Sequence, residues 1–168
     1  MLYHFSDDPE IKTFTPRVIG NFPPLVWAID EEHKVNYYFP RQCPRIIYGK
    51  SENSTPPDIE KFFEGTSAEK IITIPDYMEE ELNSTVIYKY TFNEDGFELQ
   101  DKIAGYHTSP NNVIPLRVEP ASNLPGLIAG AGAELRFTDN LMGLRERILN
   151  SSIDNFSMIR LKNLRVGS

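Results

Sequence analysis

The sequence predicts an α+β chain: a mostly antiparallel sheet of short strands with short flanking helices, in a single domain over residues 1–168. Three observations carry this expectation. Thr85 to Phe92 alternates cleanly, with Val86, Tyr88, Tyr90 and Phe92 on one face and Ile87, Lys89 and Thr91 on the other. Asn93-Glu94-Asp95-Gly96 follows at once, a turn with glycine where a positive φ is wanted, so Phe97 to Gln100 is expected to return as the hairpin partner. The other apolar runs are short and are separated by brief helical patterns, with no internal repeat and no composition break to mark a boundary. A length of 168 residues is enough to bury a core without staples.

The elements follow in order. Leu2 to Ser6 reads as a strand in which Leu2, His4 and Ser6 share one face and Tyr3 and Phe5 the other. The Tyr3/Phe5 face has the bulk to pack on a core, while the imidazole and hydroxyl of the opposite face suit a polar ligand. Asp7-Asp8-Pro9 ends this strand, and residues 7–24 form a loop anchored by Phe14. Leu25 to Ile29 reads as a buried strand. Asp30 then caps a short helix to about Phe39, stopped by Pro40, with Val35 and Tyr38 on one face so that Tyr38 packs. A link punctuated by Pro40 and Pro44 leads into a strand from Arg45 to Tyr48. Lys50 to Pro57 is polar and proline-rich, a mobile loop by composition. A helix from Asp58 to Glu64 ends at Gly65, Ile71 to Ile74 is a strand, and Tyr77 to Leu82 is an acidic helix. Residues 101–110 read as an irregular polar link into a strand from Val113 to Val118. Pro125 opens a helix of small residues to about Gly132, and Glu134 to Phe137 is a strand. Thr138 caps a helix through about Asn150 with Leu141, Leu144 and Ile148 as its apolar stripe, and Phe156 to Leu161 is the last strand.

Composition narrows the function. A net charge of −7 opposes binding to a phosphate backbone, so nucleic acid is not the expected partner despite the basic residues between Arg145 and Arg165. No run of residues is long and apolar enough to span a membrane, and the first residues lack the features of a signal peptide. A cytoplasmic protein is expected. The single cysteine, Cys43, excludes an internal disulfide and a cysteine-cluster zinc site, and reads as a buried, inert thiol. Glu79-Glu80-Glu81 diverge around a helix and read as a solvated face, not a metal site.

His4 stands out, because nothing local calls for a histidine in mid-strand. Two readings stay open: a ligand-binding imidazole, or a partly buried one bonded to a backbone carbonyl. Arg41 and Arg45 likewise suit either an anionic ligand or nearby carboxylates.

Longer motifs carry a resemblance. His4-Phe5-Ser6-Asp7-Asp8-Pro9, Val26 to His33, Phe39 to Arg45, Glu134-Leu135-Arg136, Asn140-Leu141 and Phe156 to Leu161 resemble the pattern of a bacterial family with no assigned activity. More distantly, Tyr3-His4-Phe5-Ser6, Val26-Trp27-Ala28-Ile29-Asp30 and the acids near residue 100 resemble small bacterial ADP-ribosyltransferases of the rifampin ADP-ribosyltransferase type. That second likeness implies a twisted, split sheet of the ADP-ribosyltransferase kind and NAD as substrate, with ADP-ribose passing to a small molecule or protein. By the same likeness His4 holds the nicotinamide ribose with help from Ser6. Trp27, or less directly Tyr37 or Tyr38, stacks on the nicotinamide, and Glu98 or Asp101 is the catalytic acid; Arg41, as a candidate for an anionic ligand, is counted with the cofactor site. Trp27 stands where that family carries tyrosine, so a second reading keeps the cleft without the chemistry: a nucleotide- or sugar-binding module with a small-molecule ligand. A third, metal-assisted hydrolysis using His4, His33 and His107, matches no helix-based ligand spacing.

Overall fold

A computed structural model describes residues 1–165. It is α+β, with two mostly antiparallel sheets and, among the described residues, four α-helices. The chain divides into two compact units that interleave in sequence: Met1–Arg41 with Val86–Ser122, and Gln42–Thr85 with Asn123–Ser168.

The first unit is a six-stranded sheet. Its strands are β1 (Leu2–Ser6), β2 (Val26–Ile29), β5 (Ile87–Phe92), β6 (Glu98–Asp101), β7 (Tyr106–Ser109) and β8 (Arg117–Ala121). They lie in the order β6-β7-β2-β1-β5-β8, every neighbouring pair antiparallel. β1 is central, and its register sets both faces. Leu2, His4 and Ser6 oppose Phe92, Tyr90 and Tyr88, while Tyr3 and Phe5 oppose Thr91 and Lys89. Paired residues project to the same side, so the aromatic stripe of β5 shares a face with His4. Phe14 closes that face, held by backbone bonds to Val113, and packs with Leu2, Val26, Ala28, Tyr90 and Phe92. The His4 side thus carries one core cluster of this unit, while Tyr3, Ile29 and Thr91 on the opposite side are buried as well. A lone strand does not reveal which neighbours it will gain.

The second unit is a four-stranded sheet of β3 (Arg45–Gly49), β4 (Lys70–Pro75), β9 (Ala133–Thr138) and β10 (Asn155–Ile159), ordered β10-β3-β4-β9. Only the β4–β9 pair is parallel. Ile46, Tyr48 and Ile71 face α1 (Pro56–Phe62) and α4 (Leu141–Leu149), forming a core with Phe62, Phe63, Leu141, Leu144, Ile148 and Ile153. Ile47, Ile72 and Ile74 alternate to the other face and are also buried. The remaining helices are α2 (Glu79–Ser84) and α3 (Leu124–Gly130), with α3 packed on β9 and α2.

Several expected elements change form. β6 does not return beside β5: β1 and β8 occupy both edges of β5, and β6 pairs with β7. Residues 106–109, read as an irregular link, are a strand, and the following strand begins at Arg117, not Val113. The helix expected from Asp30 to Phe39 is a turn and then a short 3-10 helix, Lys34–Tyr37. Asp30 still caps, accepting from the His33 backbone N–H at 2.8 Å. Thr138 is displaced as helix cap by Asn140, whose side chain accepts from Gly143 N at 2.9 Å. The segment 50–57 is tethered, not loose: Asn53 donates to Asp154 at 2.8 Å and the Thr55 N–H to Ser152 Oγ at 2.8 Å.

Candidate functional site

Each sequence-predicted site residue can be followed on this frame. His4 Nδ1 lies 3.1 Å from the Trp27 carbonyl, and its ring sits 4.8 Å from Phe14 and 6.3 Å from Phe92. A carbonyl only accepts, so Nδ1 carries the proton in this bond. Burial holds its pKa down at about 4, with the Trp27 bond opposing the shift. His4 is thus the carbonyl-bonded histidine of the second reading. Ser6 is also occupied, its Oγ accepting the Asp8 N–H at 3.1 Å to shape the turn after β1.

Trp27 lies on the other side. β1 and β2 pair through Tyr3 and Ile29, so Trp27, two residues from Ile29, shares the Tyr3/Phe5 face. Its own partner is Thr108, and Glu98 and Asp101 of β6 register with Thr108 and Tyr106 across a bulge. The indole and the two carboxylates therefore belong to one face, and the imidazole to the other. This corrects the expected convergence of His4, Trp27 and an acid. Asp101 Oδ1 accepts the Ala104 N–H at 3.0 Å and so shapes a turn, whereas Glu98 is exposed. Arg41 pairs with Asp7 at 3.1 Å, both exposed, the local-carboxylate alternative. Tyr38 is buried and stands edge-on to Phe5, 5.5 Å between centroids, and burial raises its phenol pKa.

What the Tyr3/Phe5 face does assemble is a set of rings. Phe5 lies nearly parallel to Tyr37 at 6.4 Å, and Tyr37 meets Tyr106 at 6.4 Å with their hydroxyls 2.5 Å apart. Tyr106 stands edge-on to Trp27 at 5.7 Å, and Phe22 edge-on to Trp27 at 5.0 Å. Phe5, Trp27, Tyr37 and Tyr106 are each only partly covered, and Phe22 is exposed. The Trp27 indole N–H is buried with no hydrogen-bond partner among the described residues. Unpaired buried donors are uncommon and cost about 1–3 kcal/mol.

Beside the rings lies a charged group. Tyr3 donates its hydroxyl to Glu31, and Lys34 donates to the same carboxylate. The Lys34 and Lys89 ammoniums lie 4.8 and 5.5 Å from the Tyr3 ring centre. Glu119 Oε2 is 3.5 Å from both Lys89 Nζ and Arg117 Nε. Burial, and then the bond to Glu31, push the Tyr3 phenol up to about 12, so it remains a donor.

A family model described as Family of unknown function (DUF6886) matches residues 3–164. The chain belongs to that family. No curated protein and no solved structure matches it. The resemblance drawn from the long motifs fits this family, whose function is unknown. In this DUF6886 member the motif residues make internal bonds: Asp30 holds His33, the buried Arg45 donates to the Cys43 carbonyl at 2.8 Å, and Arg136 pairs with Glu134 at 2.5 Å. Cys43 is fully buried and its thiol is pushed up to about 12 by that burial.

Sequence reasoning missed Phe22, Tyr106, Lys89 and Arg117 as neighbours of the site, and placed Phe5 in the core. Only the parity of Tyr106 with Thr108 and of Lys89 with Thr91 was readable, and parity means nothing until the pairing is known. Among the described residues no group of three or more His, Cys, Asp or Glu is placed to hold a metal, and no helix is long and apolar enough to cross a membrane. The second unit carries an open hollow of about 580 Å³ lined by Lys50, Lys61, Phe63, Glu60 and Glu64. Its lysines lie over Phe63 and Phe62, and Lys50 pairs with Glu69.

Proposed function

We propose that the first unit is a binding module for a small molecule with a stackable ring, a nucleotide or a sugar. One observation carries this reading: four partly exposed aromatic side chains, Phe5, Trp27, Tyr37 and Tyr106, adjoin on one sheet face. Aromatic faces take bases and sugar rings by stacking, worth about 1–3 kcal/mol per base. The unpaired indole N–H supplies a donor for an acceptor that such a ligand brings.

NAD-dependent ADP-ribosyl transfer on an ADP-ribosyltransferase-like fold remains the competing reading, favoured by one observation: Glu98 and Asp101 register on the indole face. It loses its ribose-holding imidazole to the core side of β1. The module reading needs no such group.

Trp27 is the only tryptophan in the chain, so its fluorescence reports directly on this face. Titration with adenosine, AMP, NAD, ribose and ribose phosphate is expected to give a saturable change with at least one of them, and no nicotinamide release from NAD. A flat indole signal with all five removes the module reading. Nicotinamide release that is lost in Glu98→Gln or Asp101→Asn restores the transferase.

A further inference from the structure

We infer that the ligand of the aromatic face is a phosphate monoester, with its phosphate held beside Tyr3 by Lys34, Lys89 and Arg117. The inference rests on the ring-binding reading above and names the chemistry of the ligand's other end.

The argument begins with charge. The chain as a whole carries −7, yet three cations and two carboxylates gather around the Tyr3 ring. Two ammonium groups lie within 5.5 Å of one ring centre, and a guanidinium shares the carboxylate that holds one of them. Three cations against two carboxylates leave this cluster with a net charge of +1. An anion placed among them offsets that charge. Glu31 holds Lys34, and Glu119 holds Lys89 and Arg117.

Geometry then joins this group to the rings. Lys89 is the register partner of Phe5, so the two residues project to the same side from adjacent strands. Lys34 and Tyr37 stand three residues apart in a 3-10 helix, where that spacing puts side chains on one side. The cations and the aromatic wall are therefore two ends of one surface, built on β1, β5, β8 and the 3-10 helix. At the charged end the Arg117 side chain is 52% exposed and that of Glu119 48%, with Lys89 at 23% and Lys34 at 20%. A dianionic phosphate is matched by two ammoniums and a planar donor fork, and its ester oxygen leads to a ring on the aromatic side.

The intact protein decides the point through Trp27 fluorescence, comparing AMP with adenosine and ribose phosphate with ribose. The phosphorylated member of a pair is expected to bind about tenfold tighter or more, with an advantage that shrinks as salt rises. Lys89→Gln and Arg117→Gln, checked for an unchanged melting temperature, are expected to remove the advantage of AMP over adenosine; an advantage kept in both variants overturns the inference. The two pairs tell a nucleotide from a sugar phosphate. Equal affinities within both pairs for the unaltered protein overturn the phosphate inference and leave the ring-binding reading standing. Silence from all four compounds overturns both.

Discussion

At the scale of single residues, His4 matters to folding. Its pKa of about 4 in the folded chain lies below the ordinary value of 6.5, so the unfolded chain binds a proton that the folded one refuses. Stability from this site is complete above pH 6.5 and is lost as pH falls toward 4, by up to about 3 kcal/mol. Urea denaturation between pH 6.5 and 4.5 is expected to show this loss, in a window above the range where the carboxylates with lowered pKa begin to protonate. His4→Phe, which keeps a ring beside Phe14 and Phe92, is expected to flatten that window. It also costs about 1 kcal/mol at neutral pH for the bond to the Trp27 carbonyl. An unchanged acid slope in the variant assigns the proton to another group. The sequence marked His4 as unusual but could not say why, because both of its explanations use the same strand. What separates them is the identity of the residues opposite, Tyr90 and Phe92 among them, and that comes only from pairing.

At the scale of elements, one arginine ties a helix end to a strand. Arg136 on β9 donates to the carbonyls of Phe62 and Glu64, 3.2 Å each, and to Glu134. Carbonyls at a helix C-terminus have no partner within the helix, and here the guanidinium supplies one. Arg136→Ala is expected to destabilise the protein by about 1–3 kcal/mol in urea denaturation. Arg136→Lys recovers little of this, because one ammonium does not span two carbonyls and a carboxylate. A cost in Arg136→Ala below the resolution of the measurement shows the bonds to be incidental. Strands with strong local patterns were legible: the alternation of β5 gave the faces that its register shows, and Gly96 takes φ +81 as the turn required. Pairing was not legible. The chain after Gly96 has the turn of a hairpin, but β1 already holds the edge of β5 that a hairpin needs. Gly105 records another constraint invisible from sequence: with φ +76, a Cβ there would lie 2.4 Å from the His33 ring.

At the scale of the whole molecule, the chain forms two compact units that interleave in sequence. The chain passes from the first unit to the second after Arg41, back at Val86, and out again after Ser122, with no composition shift at any of these points. Interleaving of this kind leaves no linker to read. Each unit has its own sheet and its own cluster of buried side chains. All the groups that matter to the ring-binding face, from Tyr3 to Glu119, lie within the first unit. The central claim is that function sits on the Trp27 side of that sheet and that His4 serves only its core. Isothermal calorimetry with AMP on His4→Phe and Trp27→Leu, both shown to be folded by thermal melting, tests it most directly. The account predicts that His4→Phe binds AMP within about twofold of the unaltered protein and that Trp27→Leu loses about tenfold or more. Loss of AMP in His4→Phe with retention in Trp27→Leu would contradict it and return the imidazole to the site.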